Sequence, residues 1–497
     1  MRKRQRHFKG DSKRPPASGC QPSRKLTQRA VTASADELVV FHQRFARVFQ
    51  RCEQRYWSFV YLCGQLADLA RKTMEPIVLA LLGAEAKAVR ALQRHISRSR
   101  WSASQMIEVE QALVGDWLGS PNGVVIVDGS GFPKQGEDSV GVARQYCGHL
   151  GKVANCQEGV FLVYVGPRAY AFLDERLYLH ESWFTPQAHQ RWVACGIPSA
   201  VTFHTEPELG LEMIQTLAAR QRVPFRWVMA DARFGQNPAF LQGIEKLGKW
   251  YMVEIPAATR FWQRRPRIEP PGPGLLGRPR LHPRVATSAP TPQAIRDLAA
   301  HLPRSAWLPR IIKEAGKGPL AAEFAFLRLV TVEDELPGAR RWVILRRTLR
   351  KPSELKYYLS NAPADCALST FVWLSGMRWP IETVFEEAKG EVGLDHYETR
   401  TWRGWHHHMA QTFMAHLFLI RLRLLFKKKP SAHHRPGARS DCSSYRRRVP
   451  SGARCYPDHS ISSAAQLCCL SLTSQTDAQT ASPPSGHPLL TRSVVVM

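Results

Sequence analysis

From Gly123 the polarity pattern of the chain changes. Val124, Val125, Ile126 and Val127 form an unbroken apolar run closed by Asp128, the pattern of a strand buried on both faces of an α/β sheet. Further strands are predicted at 159–165 and 170–179, then a helix over 206–220, a strand over 225–230 closed by Asp231, a helix over 237–247 and a strand over 250–255. Upstream, apolar residues recur at helical spacing from Ala35 to Trp117, as in Val39, Phe41, Phe45, Val48 and Phe49, which predicts a helical domain. Downstream, residues 260–284 hold seven arginines and six prolines, a composition that excludes a regular core element. An antiparallel pair at 323–331 and 341–347, a short strand at 357–359, one helix over 369–389 and another over 402–426 complete the pattern, and no internal repeat is found.

The expected fold class is therefore α/β, a mixed sheet flanked by helices. The chain divides into a disordered basic tail (1–35), a helical N-terminal DNA-binding domain (36–119), the first part of the α/β core (120–256), a basic Pro-rich linker with a β insertion (257–368), the last core helices (369–430) and a disordered tail (431–497).

Charge adds a partner to this picture. The net charge is +28, with ten Lys/Arg against one Asp in residues 1–30 and ten against three acids in residues 427–497. So basic a surface calls for a polyanion, of which nucleic acid is the commonest, the alternative being a protein that is merely basic. The run from Arg90 to Arg100 reads equally as a phosphate contact or a solvated helix face. No apolar run follows the basic N-terminus, so no secretory signal is expected. The stretch from Met414 to Phe426 is too short, and too charged at Arg421 and Arg423, to span a bilayer. Eleven cysteines without a CxxC pair read as reduced thiols of a cytoplasmic protein.

Two acids stand out by context. Asp128 and Asp231 each follow an apolar strand, and polar residues at the carboxyl ends of central strands line the site of an open α/β sheet. Each is alternatively a turn-forming Asp that caps the next element. A third feature is RWPIETVFEEAKGEVGLDHYETR, residues 378–400, where Arg378, Glu382, Glu386 and Lys389 share one helix face. That face is either a surface ladder of ion pairs or one wall of a site. His406, His407 and His408 are consecutive and would point in different directions on a helix, so they cannot share one metal. Trp402–Trp405 either stacks on bases or packs in the core.

Together, VIVDGSGFPKQG, FRWVMADARFG and RWPIETVFEEAKGEVGLDHYETR resemble the DDE transposases of bacterial insertion sequences. Their catalytic domain has an RNase H-like fold, and one branch carries an insertion before the third carboxylate. The family pattern Tyr-x2-Arg-x3-Glu-x6-Lys maps onto Arg378, Glu382 and Lys389, with Ser375 in place of the tyrosine; Glu386 and Glu387 are the alternatives to Glu382. Asp128 and Asp231 lie 103 residues apart, and Asp231 and Glu382 lie 151 apart, an excess that the insertion explains. The resemblance implies two divalent ions, Mg²⁺ or Mn²⁺, held by Asp128, Asp231 and Glu382, with Arg378, Lys389, Lys134, Gln135 and Arg144 contacting DNA. It implies hydrolysis at element ends, then attack of the freed 3′-hydroxyl on target DNA. The partners it implies are terminal inverted repeats and target DNA, met by a homodimer in a synaptic complex on the nucleoid. A non-enzymatic DNA-binding protein (a decayed or domesticated transposase) and another RNase H-like nuclease are the competing functions. From Ser431 the composition shifts to Ser, Pro, Cys and Arg. Codons exist for residues 466–481 that, read one base later, give a basic helix-like segment, so this tail is read as frameshifted.

Overall fold

A computed structural model describes residues 28–148, 150–272, 281–313, 319–349 and 354–426; the tail from Ser431 lies outside them. Five helices come first: α1 (Gln28–Gln43), α2 (Cys52–Leu66), α3 (Met74–Leu82), α4 (Ala86–Ser97) and α5 (Ala103–Leu118). Residues up to 35 were expected to be disordered, yet α1 begins at Gln28. Leu38, Phe41 and Phe45 are fully buried, and an anchored apolar face lets a helix propagate outward from it.

The core strands follow. They are β1 (Val124–Pro133), β2 (Ala143–Cys147), β3 (Lys152–Val165), β4 (Tyr170–Tyr178), β5 (Trp227–Ala230) and β6 (Trp250–Glu254). Between them run α6 (His189–Cys195), α7 (Glu206–Arg220), α8 (Ala232–Gly235) and α9 (Pro238–Lys246). β3 pairs antiparallel with β1 and with β4, whereas β1, β5 and β6 run parallel. The order β4-β3-β1-β5-β6, with only β3 reversed, is the RNase H-like mixed sheet.

The insertion contributes β7 (Arg260–Trp262), β8 (Ile268–Glu269), β9 (Arg284–Val285), β10 (Gln293–Ala294), α10 (Ile295–Ala300), β11 (Leu308–Lys313), β12 (Leu320–Glu333), β13 (Leu336–Thr348) and β14 (Leu355–Ser360). β8 and β9 pair with each other. The rest continues the core sheet: β14 pairs antiparallel with β6, and β13, β12 and β7 follow in turn, giving a twelve-stranded sheet. The basic segment thus emerges from a structured extension of the sheet.

Where one helix was expected over 369–389, two form: α11 (Leu368–Ser375) and α12 (Trp379–Val392). Pro380 sits in the first turn of α12. Proline donates no N–H and its ring clashes with the carbonyl four residues back, so the helix must restart here. Ser375, at the family's tyrosine position, is buried and donates its hydroxyl to the Val372 carbonyl at 2.7 Å.

The last helix, α13 (Trp402–Phe426), is by length and composition apolar enough to cross a membrane, but it is the core of the helical layer. It is buried against α2, α4, α5, α12 and β4. A polar seam fixes its register on α2: Tyr61 to His408 at 2.8 Å, Gln65 to Thr412 at 2.7 Å and Gln411 to Ser58 at 2.7 Å. Beneath it, Phe161 of β3 is fully buried among Phe172, Phe385, Trp405 and Phe413, with ring centroids 5.3–6.4 Å away.

Where α5, β4 and α13 meet, three acids are buried: Glu110, Asp174 and Glu175. Neither carboxylate oxygen of Glu110 has a hydrogen-bond partner. Burial, then the charges of Asp174 and Glu175, hold its carboxyl well above the usual range. The folded state therefore keeps this proton to higher pH than the unfolded chain, and stability falls as pH rises above the unfolded value of about 4.3. Glu110→Gln is expected to raise the melting temperature at pH 8 by roughly 2–4 °C, from removal of about 1–2 kcal/mol of desolvation cost, and to change little at pH 4. Thermal melts of both proteins at the two pH values check this.

Candidate active site

Two of the acids chosen from sequence come together at the carboxyl ends of neighbouring parallel strands. β1 and β5 pair in register up to Val127 and Ala230, so Asp128 and Asp231 are the next residue on each. β5 stops there because Asp231 caps α8, its Oδ1 accepting from the backbone N–H groups of Arg233 at 2.9 Å and Phe234 at 3.4 Å. β1 does not stop: it runs five residues past Asp128, held by β3. The turn expected after Asp128 is therefore strand. Capping and site geometry coexist at Asp231, since Oδ1 caps the helix and Oδ2 is left for other work.

A narrow cleft between the strand ends is lined by Asp128, Asp231, Glu254, Tyr358 and Arg378. Arg378 enters from the break between α11 and α12, where it is the residue preceding α12's first turn. Its Nη1 lies 3.1 Å from Glu254 Oε2, and Glu254 also receives Lys356 Nζ at 3.1 Å. Burial raises the Asp128 carboxyl to about 7, and the Asp231 charge adds to the rise; the Arg378 charge and the Gly129 N–H oppose it. Two carboxylates that repel each other in a desolvated cleft are hard oxygen donors that a divalent cation would relieve. The donor set fits such an ion, although among the described residues no three His, Cys, Asp or Glu side chains converge closely enough to hold one.

The structure does not bring Glu382 into this cleft. It is exposed on the first turn of α12, one turn after Arg378. Glu386 is exposed near the same face, whereas Glu387 points elsewhere. Glu387 receives Tyr170 and Arg423 at 2.8 Å each and faces His416 at 3.4 Å. Despite its burial, His416, Arg423 and Tyr170 hold its carboxyl down at about 2. It clamps α12 to α13 and β4. Lys389 is half-buried, with Nζ 5.4 Å from the Phe132 ring centroid. Lys134 turns inward, its Nζ 3.2 Å from the Tyr397 carbonyl oxygen and 3.5 Å from that ring's centroid. Arg144 on β2 is exposed.

Sequence reasoning missed Glu254, although WYMVE repeats the signal that marked both aspartates: an apolar strand closed by an acid. It also missed Glu158 of β3, which lies over Gly129 and Gly131. A Cβ on Gly129 would stand 2.7 Å from Glu158 Oε1, so glycine is what admits this side chain against β1. Burial and the nearby Glu206 push the Glu158 carboxyl up to about 8. Arg233, two residues beyond Asp231, is ion-paired with Glu206.

The three histidines diverge as expected. His406 meets Glu175 at 2.7 Å, His407 lies between the Ile96 and Trp101 carbonyls, and His408 meets Tyr61.

Comparison with known proteins places this geometry. A probable transposase for insertion sequence element IS701 from Microchaete diplosiphon is 26% identical over 205 residues, 40% of this chain and 48% of that protein. The chain spans about half the length of this curated relative. A cryo-EM structure of a piggyBac transposase synaptic complex with hairpin DNA aligns with 90% of this chain and 77% of its own, at 9% identity and a TM-score of 0.38. The family model for DDE superfamily endonucleases matches residues 44–319, a span that holds both Asp128 and Asp231 and ends before α12. The match covers more than half of the chain, which therefore belongs to the DDE superfamily endonucleases.

Proposed function

We propose that this endonuclease is a DNA transposase, cutting phosphodiester bonds at the ends of its element and joining the freed 3′-hydroxyl to target DNA. The observation that carries this reading is the pair Asp128 and Asp231, side by side at the ends of β1 and β5. These two would hold Mg²⁺ or Mn²⁺, with Glu382 as the third carboxylate. Such ions, when bound, stabilise charge on the attacking and leaving oxygens. The chain's own residues orient the DNA. Arg378 offers a guanidinium inside the cleft, Lys389 an ammonium on the same helix, and Arg144 an exposed cation on β2; charge-assisted bonds to phosphate suit all three. The partners proposed are terminal inverted repeats and target DNA, held by a homodimer on the nucleoid.

The test is incubation of the full chain with DNA carrying the element's own ends and either divalent ion. Cleavage, followed by transfer of the cut end to a second duplex, is the expected result. Binding without any cleavage would replace this reading with a non-enzymatic DNA-binding role, and cleavage without joining would replace it with a plain nuclease.

The third carboxylate has its own expected outcome. Glu382→Ala should lower cleavage by at least ~100-fold, the scale of losing a group that stabilises transition-state charge, while Glu254→Gln and Glu386→Ala keep it within about tenfold. Single-turnover cleavage rates decide the matter. Loss in Glu254→Gln with retention in Glu382→Ala would move the third ligand to β6.

A further inference from the structure

A second cleft, of about 580 Å³, opens between α5, β4, the segment after α6, and α13. Its chemistry is unlike that of the Asp128 cleft. Asp128, Phe161 and Glu175 are cross-strand neighbours on one face of the sheet, which sets Asp128 and Glu175 about 10 Å apart, two strand spacings. Between them stands the buried cluster of Phe161, Phe385, Trp405 and Phe413, so the two clefts do not communicate through the core.

The floor of this cleft holds Glu175, 2% exposed, and His406. His406 Nδ1 donates to Glu175 Oε1 at 2.7 Å. Glu175 Oε2 and His406 Nε2 are both buried and have no hydrogen-bond partner. Because Nδ1 carries the proton given to the carboxylate, Nε2 presents a lone pair. The floor therefore offers two acceptors and no donor. Behind them stand Asp174 and Glu110, which add negative charge and no donor. Unsatisfied acceptors of this kind cost on the order of 1–3 kcal/mol each, a cost that a ligand with two adjacent N–H groups would offset.

The walls are flat and aromatic. Trp101 lies on one side, stacked on His407 with centroids 3.6 Å apart, and Trp402 stands edge-on to His406 at 4.5 Å. The rim is suited to an anion. Ser102 and Ser104 open the sixteen-residue α5 there, and Arg403 is exposed, its Nη1 donating to the Arg98 carbonyl at 3.2 Å. Helix N-termini and guanidinium groups bind phosphate.

We propose that this cleft binds one guanine nucleotide unit, its base on the Glu175–His406 floor beside Trp101 and Trp402 and its phosphate at the start of α5 near Arg403. Among the bases, guanine presents two neighbouring donors, N1–H and the exocyclic N2–H. Adenine places an acceptor beside its amino group, and uracil and thymine flank a single donor with carbonyl oxygens, which a carboxylate repels. The unit comes either from a free nucleotide or from an unpaired position in a DNA strand.

The test titrates the full chain with GMP, AMP and UMP, following tryptophan fluorescence, and with a duplex carrying one unpaired guanine against the same duplex with an abasic site. GMP is expected to bind at least tenfold tighter than UMP, or the guanine duplex at least tenfold tighter than the abasic one. A preference confined to the duplex assigns the ligand to DNA, and one confined to GMP assigns it to a free nucleotide. Glu175→Gln, which turns the free acceptor into a donor, should remove the guanine preference at an unchanged circular dichroism spectrum. Trp402→Ala, at the more open wall, should weaken every base alike. Asp128→Asn should leave guanine binding intact, which separates this inference from the catalytic one. Equal affinity for GMP and UMP together with no duplex preference, or a guanine preference that survives Glu175→Gln, overturns the proposal.

Discussion

Asp128→Asn and Asp231→Asn are each expected to lower metal-dependent DNA cleavage by at least ~10³-fold while DNA binding persists, since each removes the charge that holds the catalytic cation and spares the shape. The two substitutions differ in what else they disturb. Asp231 Oδ1 caps α8 through Arg233 and Phe234, and Asn caps nearly as well as Asp, so the helix start survives. Asp231→Ala would add the loss of a cap, about 1 kcal/mol. Asp128 has no capping duty; its Oδ1 meets only the N–H of Gly129, at 3.0 Å. Its carboxyl, raised to about 7 by burial and by Asp231, is a destabilising charge above that pH in the absence of a cation. Asp128→Asn should therefore cleave no DNA yet melt no lower than the parent at pH 8. Single-turnover cleavage beside a gel-shift measurement checks the first half, and a thermal melt checks the second. Residual cleavage above one part in a hundred in either variant would remove that residue from the metal site.

Phe161→Ala is expected to cost about 3–5 kcal/mol, the usual price of deleting a fully buried aromatic. Phe161 is in contact with residues from β1, β4, α12 and α13, so the cavity would open where sheet and helical layer meet. The cross-strand position beside Asp128 adds a functional consequence: the sheet face that sets the aspartate's angle loses its support. Denaturant unfolding should show the midpoint falling. A loss below about 1 kcal/mol would mean that the neighbouring rings close the gap, since cost depends on how well a site collapses.

Much of this was legible in the sequence because burial on both faces leaves a continuous apolar run. β1, β5 and β6 show it, and α7 and α13 were placed to the residue. The acids that end two of those strands were found for the same reason. What sequence could not give was pairing. β2 was missed because ARQYC alternates, with only Cys147 buried. The extension of β1 past Asp128 depends on β3 lying opposite, and Gly129 and Gly131 argued locally for a turn. The break before α12 was signalled by Pro380 but outweighed by the apolar periodicity around it. Glu382 on an exposed helix face and Glu254 inside the cleft exchange the ranking that motif spacing gave them, since a spacing records helix face and not which neighbour that face meets. Lys134 was chosen for its place near Asp128, and the Tyr397 ring and carbonyl claim it instead.

The joining of β14 to β6 bears on how this chain can be shortened. A designer seeking a minimal nuclease would cut out the segment between Ile255 and Ala367 and reconnect the ends. That excision would strip β6 of its antiparallel neighbour and bare a row of backbone N–H and C=O groups on a strand whose central residues are wholly apolar. Such an edge recruits other chains. The extra strands thus serve the parent sheet as a solubility cover, and a trimmed version would need a charged or proline-bearing replacement edge to stay monodisperse.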